Sequence, residues 1–133
     1  MPGFGTSNKT YTNSINLIKY TGATLKEISI VEACKQHYKD ISHDENDYDV
    51  TYENAQARER TQVIMDISNM TGGLVVGTGD LSETALGWAT YNGDHMSMYG
   101  VNCTIPKTLV RHVVKEYADK SKGKLKAVLT DIL

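Results

Sequence analysis

No stretch of this chain is long and apolar enough to cross a bilayer. Its hydrophobic runs extend only a few residues, whereas a spanning helix needs about 20. Charge of one sign is also scarce: 14 Lys and Arg stand against 16 Asp and Glu, for a net charge of −2. A partner such as nucleic acid or an anionic membrane surface calls for a basic excess that is missing here. The two cysteines, Cys34 and Cys103, form neither a CxxC pair nor a disulfide framework, which fits a reducing cytoplasm. The four histidines (His37, His43, His95, His112) show no metal-ligand spacing. Walker A, GxGxxG and GxSxG patterns do not occur. The first residues do not have the charged-then-apolar pattern of a secretory leader.

What is present fits one α/β domain of 133 residues. Residues 7–20 read as a helix, with Ile15, Leu17 and Ile18 on a stripe and Gly22 after the last turn. Residues 25–30 alternate as a strand does, and residues 31–41 read as a short helix. An acidic loop follows over 43–49. A long helix spans about 51–70, with Val63, Ile67 and Met70 along one face and Gly72-Gly73 ending it. Residues 74–77 read as a buried strand, 80–88 as a short helix, and 91–103 as loop containing a short strand. Pro106 suits the first turn of a helix reaching about Asp119, and 124–133 form a last helix. This order points to a three-layer α/β sandwich with a parallel sheet. Two strands are few for such a sheet. Residues 1–7 read as a loop, and the chain stops on apolar residues. The expectation is a piece of a longer protein, incomplete at the N-terminal side of the sheet.

The most informative stretch is Val75-Val76-Gly77-Thr78-Gly79-Asp80-Leu81-Ser82-Glu83, continuing to Trp88-Ala89-Thr90-Tyr91. An apolar run meets small residues, a hydroxyl and two acids, then an indole and a phenol. A strand that ends so and enters a helix is where α/β sheets hold nucleotides. Each residue has two readings. Asp80 and Glu83 have capping-box spacing, yet Glu83 is also a hard oxygen ligand suited to Mg²⁺. Thr78 either bonds local backbone or a nucleotide. Asn54 and Arg58 share a helix face with Ala57 and Thr61; that face is either simply solvated or presents its amide and guanidinium to an anionic ligand. Trp88 either packs in the core or stacks on a flat ring. Asp94 and His95 are either an acid–base pair or plain loop residues.

Taken together, these segments resemble the ligase domain of glutamine-dependent NAD synthetase. The resemblance rests on Asn54-Ala55-Gln56-Ala57-Arg58, on residues 73–83, on Ala85 through Ser97 with Trp-x-Thr-Tyr at 88–91, on Val101-Asn102 and on Pro106-Lys107-Thr108-Leu109-Val110. Met1-Pro2-Gly3-Phe4-Gly5-Thr6 resembles that family's loop after its second strand. The resemblance implies an adenine-nucleotide α-hydrolase-like fold. It also implies adenylation of deamido-NAD by ATP with Mg²⁺, followed by amidation with ammonia from a glutamine amidase domain. By position, Thr78 and Lys107 would contact ATP, and Glu83 would sit at the Mg²⁺ and pyrophosphate side, near the nicotinate end. Asn54, Arg58, Glu83, Trp88, Ala89, Thr90 and Tyr91 would contact deamido-NAD. The long helix would contribute to a homo-oligomer interface. The family's phosphate loop (Ser-Gly-Gly-x-Asp-Ser), its amidase machinery and its C-terminal closing segment do not occur in residues 1–133. The expectation is therefore a partial ligase domain, inactive alone. The alternative is a non-catalytic nucleotide-binding or dimerisation module.

Overall fold

A computed structural model describes residues 1–133. Six helices and two strands follow in the order α1 (Asn8–Thr21), α2 (Val31–Asp40), α3 (Val50–Thr71), β1 (Val76–Asp80), α4 (Leu81–Leu86), β2 (Tyr99–Asn102), α5 (Lys107–Lys120) and α6 (Gly123–Ile132). The helix ends have local causes. Ser7 Oγ accepts the Thr10 amide at the start of α1, and Gly22 closes it at φ 76°. Asp49 caps α3 through the Tyr52 amide, and Gly72 ends it at φ 64°. Only glycine enters that left-handed region without steric penalty. Pro106 lies just before α5, in extended backbone with its φ fixed at −68°, rather than inside the first turn.

β1 and β2 pair in parallel, with Val76 opposite Tyr99, Gly77 opposite Gly100 and, after an irregularity, Asp80 opposite Asn102. The crossover between them carries α4. The parallel sheet and mixed α/β class follow the expectation, but three details differ. Residues 25–30 are not a strand. Their backbone bonds to other segments are both at Ile30, whose amide donates to the Pro2 carbonyl at 3.4 Å and whose carbonyl accepts the Cys34 amide at the start of α2 at 3.0 Å, so there is no ladder to join. β1 starts two residues later than the apolar run suggests and continues through Gly77-Thr78-Gly79, so those glycines are strand, not turn. Nor is the strand buried throughout: Val75 is buried, but Leu74 and Val76 on the alternate positions are exposed. The loop at 91–103 does contain a strand, at its far end.

Between α2 and α3, Ile30, Cys34, Tyr38, Tyr52 and Ala55 form a buried hydrophobic cluster. Tyr38 stacks on Tyr52 with ring centroids 5.5 Å apart, and its hydroxyl donates to the Tyr52 carbonyl at 2.9 Å. Burial pushes the Tyr38 phenol up to about 12. This cluster fixes α3 at its N-terminal half, the half that bears Asn54 and Arg58. The acidic loop before it is pinned rather than free. His43 Nε2 lies 3.0 Å from Asp49 Oδ1, and Asp44 Oδ1 accepts the Asn46 amide. The helix-start bond from Tyr52 holds the Asp49 carboxyl below its usual range. At the other end, Asp131 of α6 accepts from Asn13 Nδ2 at 2.7 Å and pairs with Lys9 at 3.1 Å, tying α6 to α1.

Candidate functional site

Two groups of residues meet around the C-terminal end of β1. The first is built where β1 enters α4. Asp80 is buried, and its Oδ1 accepts the Glu83 amide at 3.0 Å. Glu83 Oε2 returns the favour to the Asp80 amide at 3.3 Å, completing a capping box. That bond engages one oxygen of Glu83 and leaves Oε1 without a protein donor. The Leu81 amide donates to the Ile105 carbonyl at 3.0 Å, and the Lys107 amide donates to Ser82 Oγ at 3.1 Å. The N-terminal ends of α4 and α5 are therefore fastened together, with Lys107 and Thr78 exposed beside them. The Leu81, Glu83 and Lys107 amides are spent in these bonds, and Leu109 donates to the Pro106 carbonyl, so of the first three amides of each helix only those of Ser82 and Thr108 have no protein acceptor.

The second group is a loop clasped onto α3. Helix α4 stops at Gly87 (φ 64°), and the Trp88 amide donates back to the Glu83 carbonyl at 2.9 Å. The helix therefore ends before Trp88, and one bond couples the Trp88 backbone to that of Glu83. From there the loop lies along one stripe of α3. Thr90 Oγ1 is 2.9 Å from Asn54 Oδ1, Arg58 Nε donates to the Tyr91 carbonyl at 3.2 Å, and Thr61 Oγ1 donates to the Gly93 carbonyl at 2.7 Å. Asp94 and His95 do not pair with each other. Asp94 Oδ1 accepts the Thr90 amide at 3.1 Å, and His95 Nδ1 lies 2.8 Å from the Thr90 carbonyl. A carbonyl only accepts, so Nδ1 carries the proton in this tautomer. Every polar group of Thr90 is thus engaged.

The rings on either side of Thr90 are free. Trp88 is 79 % exposed and Tyr91 76 %. The core reading of Trp88 is wrong, since its indole stands largely in solvent. An exposed indole and phenol on a loop fixed at its backbone form a stacking surface for a flat ring. The structure brings Asn54, Arg58, Thr90 and Tyr91 into direct contact and couples Glu83 to Trp88. Thr78 and Lys107 stand near the helix starts without contacting the clasp. A cavity of about 290 Å³ between α2 and α3 includes Arg58 in its lining, and one of about 550 Å³ lies away from the clasp, between Phe4, Tyr48, Tyr52 and Arg60. Residues 54, 58 and 61 share a face in the sequence, but nothing in the spacing names Gly93 as the partner of Thr61. The structure also brings Asp47 and Asp49 beside His43, a grouping that histidine spacing alone does not suggest. The bond from His43 and the role of Asp49 in capping α3 account for two of these three.

This architecture is a mixed α/β domain with a two-stranded parallel sheet. The family model for NAD synthase matches residues 1–120. The chain belongs to the NAD synthase family. It is 44 % identical over 140 residues to the glutamine-dependent NAD(+) synthetase of Mycobacterium tuberculosis, covering 97 % of this chain and 21 % of that protein. With the enzyme of Thermotoga maritima the identity is 32 %, over 88 % of this chain and 21 % of the relative. Among solved structures, the glutamine-dependent NAD+ synthetase of Acinetobacter baumannii in complex with ADP superposes with a TM-score of 0.88 at 28 % identity. It covers 98 % of this chain and 25 % of that one. The chain thus spans about a fifth of the length of the curated relatives it matches. The fold is the one these synthetases share.

Proposed function

We propose that residues 1–133 are part of the ligase domain of a cytoplasmic, homo-oligomeric glutamine-dependent NAD synthetase and supply its deamido-NAD-binding surface. The observation that carries this reading is the clasp of the 88–95 loop on α3. It holds two free aromatic rings beside an amide and a guanidinium, on the same backbone that positions Glu83. In the reaction the nicotinate carboxylate of deamido-NAD attacks the α-phosphate of ATP, and the bond to pyrophosphate breaks. Ammonia, released from glutamine by an amidase domain, then displaces AMP to form the amide of NAD.

Such transfers depend on positioning and on neutralising phosphate charge. Trp88 and Tyr91 would hold the nicotinate ring, with Ala89 and Thr90 shaping the backbone between them and Asn54 and Arg58 meeting the polar part of the dinucleotide. Thr78 and the Lys107 ammonium would face ATP. Glu83 Oε1 fits a Mg²⁺ ligand: it is a hard oxygen that the capping box leaves free. Bound there, Mg²⁺ would neutralise charge on the leaving pyrophosphate. In this reading the phosphate loop, the amidase domain and the closing segment belong to the remaining length that the relatives have. Residues 1–133 alone therefore bind deamido-NAD weakly and make no NAD.

The test is a titration of deamido-NAD against Trp88 fluorescence, with ATP and NAD as comparisons. Saturable quenching lost in Tyr91→Ala supports the reading. NAD formation by the 133-residue chain from ATP, Mg²⁺, deamido-NAD and ammonium would overturn the partial-domain part of it. Quenching without NAD formation by the natural-length protein would favour a non-catalytic nucleotide-binding module.

A further inference from the structure

A helical threonine usually returns its hydroxyl to the carbonyl four residues back. Ser14, Thr21, Thr71 and Thr130 do so here, at 2.8–2.9 Å. Thr21 and Thr71 also have a second carbonyl in reach, in each case farther than the first, at 3.1 and 3.4 Å. At Thr61 the order is reversed. Its own helix carbonyl, of Ala57, is 3.1 Å away, and the Gly93 carbonyl is 2.7 Å away. A hydroxyl has one proton, and the shorter contact takes it. Gly93 is buried, and the other donor to its carbonyl, the Met96 amide at 2.9 Å, comes from the loop side, so the Thr61 hydroxyl is the bond that ties this carbonyl to α3.

The bond closes a register. Positions 54, 58 and 61 of α3 advance by four and then three, one face of a helix, and meet loop positions 90, 91 and 93 in the same order. The first two contacts belong to residues given to the ligand surface above. The third lies at the loop's downstream end, next to Asn92, a non-glycine residue at φ 54°. Without it the hydrogen bonds from this loop to α3 would be those of Asn54 and Arg58 alone.

We infer that Thr61 is a positioning residue for the deamido-dinucleotide: it touches no substrate and acts through Gly93 to preorganise the stacking surface of Trp88 and Tyr91. The inference rests on the proposed function. In the natural-length protein, Thr61→Val keeps the side-chain shape and removes the donor, and Thr61→Ser restores it. Amide hydrogen exchange reports the loop, and steady-state kinetics report the site. The expected result for Thr61→Val is faster exchange confined to residues 88–95 and a rise in KM for deamido-NAD of about three- to tenfold. KM for ATP and kcat stay near wild type, and Thr61→Ser recovers both readouts. An active wild type with Thr61→Val indistinguishable from it overturns the role of Thr61 alone. Faster exchange along all of α3, with both KM values moved, makes Thr61 merely structural and also overturns it. A wild type that makes no NAD overturns the functional reading, and the positioning role with it.

Discussion

The hydroxyl of Thr90 and the side-chain oxygen of Asn54 lie 2.9 Å apart, joining positions 36 residues apart in the chain. The carboxamide oxygen accepts from the hydroxyl, so its NH₂ group is free to face a ligand. With the Arg58–Tyr91 and Thr61–Gly93 bonds, this pair joins the exposed aromatic loop to α3. Asn54→Ala removes the acceptor and the free amide together. Net loss of one hydrogen bond costs about 0.5–1.5 kcal/mol, a small change in unfolding free energy. The effect on ligand should be larger in proportion: deamido-NAD affinity, read by Trp88 quenching, falls about tenfold or more, because binding loses both a contact and a preorganised loop. Unchanged affinity in Asn54→Ala would remove Asn54 from the site.

Glu83 offers a cleaner separation of structure from function. Its two readings, cap and metal ligand, use different oxygens, Oε2 being the one bonded to the Asp80 amide. A glutamine at the third helical position also completes a capping box. Glu83→Gln should therefore leave thermal stability within about 0.5 kcal/mol of wild type. The neutral amide is a poor Mg²⁺ ligand, so turnover of the natural-length protein should drop on the order of a hundredfold, and more Mg²⁺ should be needed. If rate and Mg²⁺ dependence both survive, Glu83 is only a cap.

Much of this was legible because it is local. Ser7 before α1, Gly22 and Gly72 after their helices, and Asp80 with Glu83 three residues on are short-range devices whose partners lie within one turn. The family resemblance likewise sits in contiguous motifs, and the mixed α/β class followed from element order. Residues 25–30 misled because alternation shows only that a segment could have two faces, not that a neighbouring strand exists to pair with it. At β1, apolar Leu74 and Val75 drew the boundary too early, since pairing with β2 decides where the strand runs. The clasp was half visible. Helical spacing put Asn54, Arg58 and Thr61 on one face, but their partners lie 32 to 36 residues away in an aperiodic loop. Trp88 shows the limit of composition: a lone indole favours burial, and nothing in the spacing around it indicates that this one stands in solvent.

Gly93 should tolerate no side chain. A Cβ built there would lie 2.8 Å from Thr90 Cγ2 and 2.9 Å from Thr90 Cβ. Thr90 cannot yield, because its amide, carbonyl and hydroxyl are all bonded. Gly93→Ala therefore shifts the loop on α3 and breaks at least one of those bonds, at a cost of about 1–3 kcal/mol. Trp88 emission and anisotropy should change in the free protein, and deamido-NAD quenching should weaken. Gly5→Ala is the control, since a Cβ at that position meets nothing within 4 Å. Equal behaviour of the two variants would show that the clasp is not rigid.

The alkaline limit of stability should depend on Tyr38. Its phenol is pushed from the ordinary 10.0 up to about 12, first by burial and then by the nearby Cys34 and Tyr52. The sign follows from proton counting. Between those two values the unfolded chain has released this proton and the folded chain still holds it, so the unfolded state binds fewer protons and stability falls as pH rises. Below about 10 the contribution is fully present; by about 12 it is gone. Tyr52 and Cys34 are shifted upward too, chiefly by their own burial, and act in the same direction. Tyr38→Phe keeps the ring that stacks on Tyr52 but loses the bond to the Tyr52 carbonyl, which Gln56 Nε2 also reaches at 3.3 Å. At pH 8 the variant should lose about 1 kcal/mol or less. Between pH 8 and pH 11 it should then lose less further stability than wild type, as measured by urea unfolding at each pH. Parallel losses in the two proteins would mean that Tyr38 ionises as freely in the folded state as in the unfolded one.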